Sequence, residues 1–334
     1  MIPPRRLGTT GLIVSRLGVG LAAVGRPGYI NLGRAHDMPQ ERTPEALYAR
    51  TAAVLNAARA AGVRYVDVAR SYGRAEEFLA RWLAERGLPR DALTVASKWG
   101  YRYTAGWRVE AAVHEEKELS LARFTTQLSE THALLGEYLA VYQIHSATVE
   151  SGCLEDEELL AALVSARRTG AYRAVGLTLS GAGSASTLAR ALEARVDGER
   201  VFDAVQATFN CLEPSLAAPL ARAHAAGLGV IVKEALANGR LTAGNDRPED
   251  ARLVQSLGVA AARLGCSTDE LALAFVLAQP FVDVVLSGAV TEPQLVSHVG
   301  ALAVRIDAAS REALTALAEP PARYWTTRGA LPWS

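Results

Sequence analysis

The stretch Val66-Asp67-Val68-Ala69-Arg70-Ser71-Tyr72-Gly73 indicates the architecture of the chain. An apolar run stops there at a carboxylate, Asp67, and Tyr72 follows five residues later. Residues 63–66 are typical of a short buried strand, and residues 75–86 have helical apolar spacing. Asp67 is therefore expected at the C-terminal end of a strand, where α/β proteins collect functional side chains. Taken alone, an aspartate in this place is more often a cap of the following turn.

The alternation of strand and helix continues along the chain. Eight apolar strand-like runs are separated by segments of helical period: residues 17–22, 63–66, 93–96, 139–144, 174–177, 202–207, 229–232 and 282–286. Apolar strands that alternate with helices form parallel sheets, and eight such units close into a barrel. The sequence thus predicts an α/β fold, a (β/α)8 TIM barrel. Because no linker divides it, we expect a single domain over residues 1–334.

Three segments lie outside this alternation. Glycine-marked turns in residues 5–15 predict an N-terminal β-hairpin that plugs one end of the fold. Residues 25–42 form a long aperiodic loop, and such loops are often functional. A last helix is predicted over residues 307–318, followed by a tail from Pro320 to Ser334. The large aromatic residues of the tail are Tyr324, Trp325 and Trp333. They are expected either to pack onto the body or to wall a pocket.

Composition limits the classes of function. Lys+Arg and Asp+Glu both number 35, so the formal net charge is zero and favours neither nucleic acid nor a membrane surface as partner. The three cysteines have no CxxC spacing, which suggests neither disulfides nor a metal site. The most apolar N-terminal stretch, residues 17–25, is too short to span a bilayer and follows no signal peptide. We therefore expect a cytoplasmic protein with a small-molecule partner, and its oligomeric state stays open.

Polar side chains end three further strand-like runs. Lys98 and His145 follow the third and fourth runs, and Gln206 ends the sixth. A single such lysine is more often a solvated strand exit, and a single such histidine is more often structural. However, Asp67, Lys98 and His145 end consecutive strands of the predicted barrel. They must therefore converge on one face beside Tyr72.

This convergence suits acid–base chemistry. A tyrosine with an ordinary pKa near about 10 needs help to exchange a proton at neutral pH. A nearby lysine ammonium favours the phenolate, and a carboxylate keeps that lysine charged. Asp67, Lys98 and Tyr72 are therefore predicted to form a proton relay. His145 can orient a carbonyl by hydrogen bonding and stabilise a developing alkoxide.

These residues stand in motifs that resemble those of the aldo-keto reductases. In family order, the motifs are Arg6-Leu7-Gly8-x-x-Gly11-Leu12-x-Val14-Ser15, Asp67-x-Ala69-x-x-Tyr72-Gly73-x-x-Glu76, Ser97-Lys98-Trp99-Gly100 and Tyr142-Gln143-Ile144-His145. The resemblance extends from about residue 5 to about residue 305. It implies a TIM barrel that reduces carbonyls with a nicotinamide cofactor. The implied catalytic set is Asp67, Tyr72, Lys98 and His145, with Tyr72 as the general acid.

The resemblance also implies cofactor-binding and substrate-binding positions. The cofactor positions are Gly20, Thr178, Gln206, Phe209, Lys233, Leu236, Ser287, Gly288, Gln294 and His298, and the substrate positions are Trp99 and Trp325. Leu179 stands where the family has a polar residue for the nicotinamide carboxamide. Lys233 stands where an aromatic ring commonly stacks on the nicotinamide. A cation there would repel the oxidised ring, so Lys233 is expected to point elsewhere, to a phosphate or to Glu234.

Cofactor choice, substrate and reaction direction stay open. The family leans to NADP(H), but residues 287–298, which resemble its adenosine-phosphate segment, contain no Arg or Lys. NAD(H) is therefore possible, and Lys233 and Arg240 are the nearest basic candidates by motif.

The favoured function is an NAD(P)(H)-dependent oxidoreductase that interconverts an aldehyde, ketone or sugar hemiacetal with an alcohol. Its main alternative is a non-catalytic or weakly catalytic NADP(H)-binding regulatory subunit of the same fold. A third interpretation is a barrel that handles phosphosugars. It leaves the presence of Asp67, Tyr72, Lys98 and His145 unexplained.

Overall fold

A computed structural model describes residues 2–334 and has a closed barrel of parallel strands at its centre. The barrel strands are β1 (Leu17–Gly20), β2 (Tyr65–Asp67), β3 (Thr94–Trp99), β4 (Leu139–Ala147), β5 (Ala174–Leu179), β6 (Ala204–Thr208), β7 (Gly229–Lys233) and β8 (Val284–Ser287). Each strand pairs with the next along the chain, and β8 pairs with β1. The predicted eight strands and the TIM barrel are confirmed.

Helices follow the strands and cover the outside of the barrel. Among residues 2–334 they are α1 (Arg34–Asp37), α2 (Pro44–Ala61), α3 (Ala75–Arg86), α4 (Leu121–Leu135), α5 (Glu157–Arg168), α6 (Ser184–Glu193), α7 (Ala217–Ala225), α8 (Ala251–Leu264), α9 (Thr268–Leu277), α10 (Glu292–Gly300), α11 (Ala308–Thr315) and α12 (Pro321–Gly329). α2 begins where the Thr43 hydroxyl accepts a hydrogen bond from the Ala46 amide at 3.2 Å. It ends at Gly62, which takes the left-handed conformation that ends many helices.

Side-chain alternation along the strands divides the core into two layers. Tyr65 and Ile231 belong to an apolar cluster inside the barrel, whereas their neighbours Val66 and Val230 belong to the cluster between strands and helices. Successive side chains of a strand point to opposite faces, so each barrel strand contributes to both layers. The polar ends of the strands are thereby presented above an interior filled with apolar side chains.

The N-terminal hairpin closes the barrel at the end where the strands begin. Its strands, Pro4–Arg6 and Ile13–Ser15, are antiparallel, and Leu7 lies fully buried in the inner cluster. Gly8 has φ 49°, and a Cβ there would lie 2.4 Å from the Gly229 amide nitrogen. Only glycine allows this close approach of the hairpin to β7. The predicted hairpin and its plugging position are confirmed.

Two segments differ from the sequence expectation. The aperiodic tail contains α12, because Pro321 occupies the first helical turn, where its missing N–H costs nothing. The loop after β3 contains an antiparallel hairpin, Tyr101–Tyr103 with Glu115–Lys117, whose three-residue strands are too short for a sequence pattern to show. In the part of the chain that the structure describes, no helix has the length and apolar character needed to cross a bilayer.

Candidate active site

The C-terminal ends of the barrel strands open into a cleft of about 610 Å³. Residues at or near the C-terminal ends of different strands line it with polar side chains: Asp67, His145, Gln206, Lys233 and Ser287. The strands extend slightly further than their apolar runs, so these residues lie in or beside regular strand rather than in flexible loops. A cleft of this size and position is the usual location of a TIM-barrel active site.

The four residues predicted as catalytic lie together. The Lys98 ammonium is paired with the Asp67 carboxylate and donates to the Val68 carbonyl at 2.9 Å. It also lies 4.7 Å from the centre of the Tyr72 ring. His145 meets the same tyrosine edge to face, with ring centres 5.5 Å apart. The expected convergence of the strand ends on Tyr72 is therefore present in the structure.

Two glutamine side chains complete the hydrogen bonding of Asp67. The amide of Gln206 donates to Asp67 Oδ2 at 2.8 Å, and the amide of Gln143 donates to the same oxygen at 3.3 Å. Asp67 Oδ1 is taken by Lys98. Since a buried carboxylate is costly unless its oxygens are satisfied, these partners hold Asp67 in one orientation beneath the cleft.

The pKa of Tyr72 differs from the expectation of a lowered value. Burial raises the pKa of this phenol well above 10, and the carboxylates of Asp67 and Glu115 raise it further. Arg26 acts in the opposite direction but does not overcome burial. Burial also lowers the pKa of Lys98, against the opposing effect of Asp67. Tyr72 therefore carries its proton at neutral pH, as a proton donor requires.

His145 is neutral near pH 7. Burial holds the pKa of its imidazole well below the usual value, and the nearby cations Lys98 and Lys233 lower it further. Its Nδ1 is buried without a hydrogen-bond partner in residues 2–334. Its ring is also packed against Tyr101, with centres 4.9 Å apart. A neutral imidazole can donate one N–H to an oxygen placed in the cleft.

The long loop over residues 25–42 forms one wall of the cleft, as its length suggested. Arg26 of this loop donates to the Ser71 carbonyl at 3.1 Å and pairs with Glu115. Its guanidinium lies 5.4 Å from the centre of the Tyr72 ring and 5.2 Å from that of Tyr29. The sequence did not single out Arg26, Tyr29 or Glu115, because only the aperiodic length of their loops marked them.

Eight of the ten predicted cofactor positions line the cleft: Gly20, Gln206, Lys233, Leu236, Ser287, Gly288, Gln294 and His298. Thr178 is buried, and its hydroxyl oxygen accepts from the Ser146 amide at 2.7 Å, where β4 and β5 slip in register. Phe209 is buried against Phe275 and Phe281. These last two predicted positions therefore support the cleft from behind instead of lining it.

Neither tryptophan predicted to bind substrate lines the cleft. Trp99 is fully buried and packs against Phe124 of α4, with ring centres 5.2 Å apart. Lys98 takes the inward direction at the end of β3, so the next side chain must point outward. Trp325 is half-buried beside Tyr324, while Trp333 and Arg328 of the same tail line the cleft.

The sequence left two groups toward which Lys233 could point, a phosphate or Glu234, and its contacts distinguish them. Its ammonium donates to the Thr208 hydroxyl at 3.1 Å and lies 4.0 Å from Glu234 Oε1. Glu234 has φ 55°, an uncommon left-handed conformation for a residue other than glycine. This conformation accompanies the placement of two successive side chains on the cleft. Lys233 thus points toward Glu234, the second of the expected partners.

The far end of the cleft is built from α10 and the segment before it. The Ser287 hydroxyl and His298 Nδ1 are 2.7 Å apart, and burial lowers the pKa of His298 to about 4. The Gln294 amide donates to Asp37 Oδ2 at 2.7 Å. Asp269 also lines this end.

Small residues leave room for a ligand in the cleft. Tyr72 and His298 both line it, together with small residues, among them Gly20, Gly288 and Ala235. A Cβ added to Gly288 would meet no atom within 4 Å, so there is open space beside Ser287. The volume is within the range of small-molecule sites.

Comparison with known proteins gives a consistent result. The model of the aldo/keto reductase family matches residues 17–319. The holo form of the aldo-keto reductase AKR11C1 from Bacillus halodurans has 21% sequence identity and a TM-score of 0.74, over 96% of this chain and 97% of the other. A crystal structure from Pseudomonas aeruginosa, of PA4992, described with the aldo-keto reductases, has 23% identity and a TM-score of 0.63, over 90% and 95%. At these identities the two structures show a shared fold.

Proposed function

The chain belongs to the aldo/keto reductase family, and we propose that it interconverts a carbonyl and an alcohol with NAD(P)(H), using Tyr72 as general acid and base. Family and fold support the broader statement, an oxidoreductase acting on carbonyl or alcohol groups. The observation that carries the finer proposal is the position of Tyr72 in the cleft, between the buried Lys98–Asp67 pair and His145.

Each of the four residues has a distinct role in this proposal. A bound nicotinamide cofactor supplies the hydride for reduction. Tyr72 gives its phenolic proton to the carbonyl oxygen, and His145 donates a hydrogen bond to the same oxygen. Lys98 stabilises the phenolate that remains, while Asp67 keeps the lysine charged inside the protein. Oxidation of an alcohol would use the same groups in reverse.

The walls of the cleft favour a partly apolar substrate. Tyr29, Tyr101 and Trp333 present aromatic surface, and Arg26 and Glu115 add polar groups near the Tyr72 ring. Aromatic walls with a few placed polar groups are typical of small-molecule pockets. The proposed substrates are therefore aldehydes, ketones or cyclic sugar hemiacetals. Gln206, Lys233, Leu236, Ser287 and Gln294 are proposed to hold the dinucleotide.

A substrate panel with the Tyr72→Phe variant tests the proposal. Aldehydes, ketones and the corresponding alcohols are assayed with NADPH/NADP and NADH/NAD. In Tyr72→Phe, turnover should fall by about a hundredfold or more, because the proton donor is lost, while dinucleotide affinity stays within a few fold. Tyr101→Phe, a cleft tyrosine beside His145, serves as the matched control and should keep activity within about tenfold.

Two results would contradict the proposal. Near-normal turnover in Tyr72→Phe would remove the assignment of the proton donor. Tight dinucleotide binding by the unaltered protein, with no turnover across the panel, would instead favour the regulatory subunit of the same fold.

A further inference from the structure

Lysine is rare in this chain, and its lysines gather at the cleft. Of the 35 basic residues, three are lysines: Lys98, Lys117 and Lys233. Lys98 lies beneath the cleft with Asp67, and Lys117 donates to the Ser146 carbonyl at the rim, at 2.7 Å. Elsewhere the chain uses arginine, whose charge is permanent, whereas a buried lysine can lose its proton. The positive charge of Lys233 can therefore be lost by deprotonation.

Lys233 is partly buried, and by family resemblance it lies beside the nicotinamide ring of the proposed cofactor. It is the last residue of β7 and lines the cleft together with Gln206, which bonds Asp67. By family resemblance, an aromatic ring that stacks on the nicotinamide commonly stands at this position. An ammonium here would act on the cofactor ring through its charge, whereas an aromatic side chain would act by stacking.

The carboxylate beside Lys233 is already shared with a second cation. Glu234 accepts from Arg328 Nε at 3.0 Å and from Arg328 Nη2 at 2.5 Å. The other titratable groups that face Lys233 are Lys98 and Asp67, which form their own pair, and the neutral imidazole of His145. Two cations, Lys233 and Arg328, thus share one carboxylate, that of Glu234. This part of the cleft is left with one positive charge in excess.

We propose that Lys233 makes the cleft bind the reduced form of the nicotinamide cofactor more tightly than the oxidised form. The inference rests on the proposed function, since it needs a dinucleotide in this cleft. The oxidised ring carries a positive charge and the reduced ring is neutral. A partly buried ammonium beside the ring repels the first and tolerates the second, because water screens the two charges less than it would at the surface. Carbonyl reduction would then begin from the tighter complex.

The same lysine makes this discrimination depend on pH. Burial lowers the pKa of Lys233 to about 8, with Glu234 opposing the shift and Arg328 and Lys98 adding to it. Below that pH the side chain is charged and disfavours the oxidised ring. Above it the amine becomes neutral and the discrimination fades. Binding of the oxidised form near pH 8 should also release more protons than binding of the reduced form.

Direct binding measurements test the inference without turnover. Kd values for NADH, NAD, NADPH and NADP are measured by calorimetry with the full chain between pH 6.5 and pH 9.5. The ratio of the oxidised to the reduced Kd should exceed about tenfold at the lower pH and fall several fold at the higher pH. Lys233→Met should give a small ratio that is independent of pH. Lys233→Arg should keep a large ratio at every pH, because its charge does not titrate.

Lys117→Met is the matched control, since it removes a lysine charge from the rim of the same cleft. It should keep the ratio and the pH dependence of the unaltered protein. The inference is overturned if Lys233→Met behaves as the unaltered protein does, or if the ratio in Lys233→Arg falls with pH. Should Lys233→Met fail to fold, the pH dependence of the Kd ratio in the unaltered protein and in Lys233→Arg still tests the inference. Failure of both redox forms to bind would instead defeat the proposed function itself.

Discussion

At the scale of single residues, the structure removes Arg240 as a partner for a cofactor phosphate. Its guanidinium is buried and donates to Asp250 at 3.0 and 2.7 Å and to Glu319 at 3.0 and 2.8 Å. A guanidinium held by two carboxylates has its charge neutralised and its donors engaged. Lys233 is likewise directed to Thr208 and Glu234. Neither of the basic candidates from the sequence is available for a 2′-phosphate.

The protein should accordingly use both NADPH and NADH. Asp37 and Asp269 line the end of the cleft that resembles the adenosine-phosphate segment, and carboxylates there oppose a phosphate and suit a ribose hydroxyl. We expect kcat/KM for NADPH to exceed that for NADH by less than about a hundredfold, equivalent to less than about 2.8 kcal/mol. Steady-state kinetics with one good substrate measures this ratio.

Two variants sharpen the test of cofactor choice. Asp37→Asn should raise NADPH use relative to NADH, because it removes a negative charge near the phosphate position. Arg240→Ala should leave the ratio unchanged if the guanidinium serves only Asp250 and Glu319. A ratio in the thousands for the unaltered protein would show that another basic group holds the phosphate.

At the scale of elements, α12 shows how the tail both packs and walls the cleft. Tyr324 is buried, and its hydroxyl accepts from the Asn210 amide at 3.0 Å. Beyond the helix, Trp333 stacks on His114 with ring centres 3.6 Å apart and lines the cleft. The two roles that the sequence left as alternatives therefore belong to different aromatic residues of one segment.

Trp333→Ala is expected to change substrate preference. Loss of this aromatic wall should raise KM most for bulky or aromatic carbonyls and alter the order of substrates, with a smaller effect on kcat. Trp325→Ala is the matched control, because Trp325 is a half-buried tryptophan of the same tail that does not line the cleft. Equal changes in both variants, or unchanged substrate order in Trp333→Ala, would argue against a tail wall.

The Glu234–Arg328 pair should make the attachment of α12 depend on acid. Burial by itself would raise the pKa of Glu234, but Arg328 and Lys233 outweigh it and lower this pKa to about 2. A carboxylate whose folded pKa lies below its unfolded value stabilises the structure above the unfolded pKa, near 4.5, and loses that contribution as pH falls toward 2. Hydrogen exchange should show residues 321–329 losing protection in this interval, before the barrel does.

A variant of Glu234 tests the role of the Glu234–Arg328 pair directly. Glu234→Gln should undock α12 at neutral pH and abolish the acid dependence, because Arg328 then lies beside an uncharged amide. Protection of α12 that is unchanged at pH 3 would contradict this account.

At the scale of the whole molecule, the two ends of the barrel carry different tasks. The site lies at the C-terminal ends of the strands, and the N-terminal hairpin closes the opposite end. Asp283 ties that hairpin to the barrel: its carboxylate accepts from Arg5 Nε at 2.9 Å, from the Gly8 amide at 3.1 Å and from the Val230 amide at 3.0 Å. Stability and chemistry are therefore expected to respond to mutation separately.

Asp283→Ala should lower stability without changing catalysis. Removing this buried acceptor leaves the Gly8 and Val230 amides without a partner and should cost about 3 kcal/mol of unfolding free energy. KM and kcat per folded molecule should stay within about twofold, because the cleft lies at the other end of the barrel. Denaturant unfolding and kinetics on the same preparation measure both.

Arg5→Ala is the milder comparison. It removes a partly exposed partner of the same carboxylate and should cost about 1 kcal/mol or less. A large loss of kcat in folded Asp283→Ala would contradict the separation of the two ends.

We also expect one cooperative unfolding transition over residues 1–334, and two transitions would divide the chain into more than one domain.

The sequence by itself determined the barrel, the plug and the meeting of Asp67, Lys98 and His145 beside Tyr72. Strand and helix periods are local, and a closed parallel barrel leaves the strand ends only one place to meet. The tertiary structure alone decided which aromatic residues face the cleft. Trp99 points away because Lys98, its neighbour in the strand, points in.

Tertiary structure also decided which charges the site contains. Arg328 reaches Glu234 across 94 residues, and Asp37 reaches Gln294 across 257. Such pairings depend on how loops and tail fold back over the barrel, and no local pattern encodes their approach. Burial, which raises the pKa of Tyr72 and lowers that of Lys233, exists only once these segments are packed together.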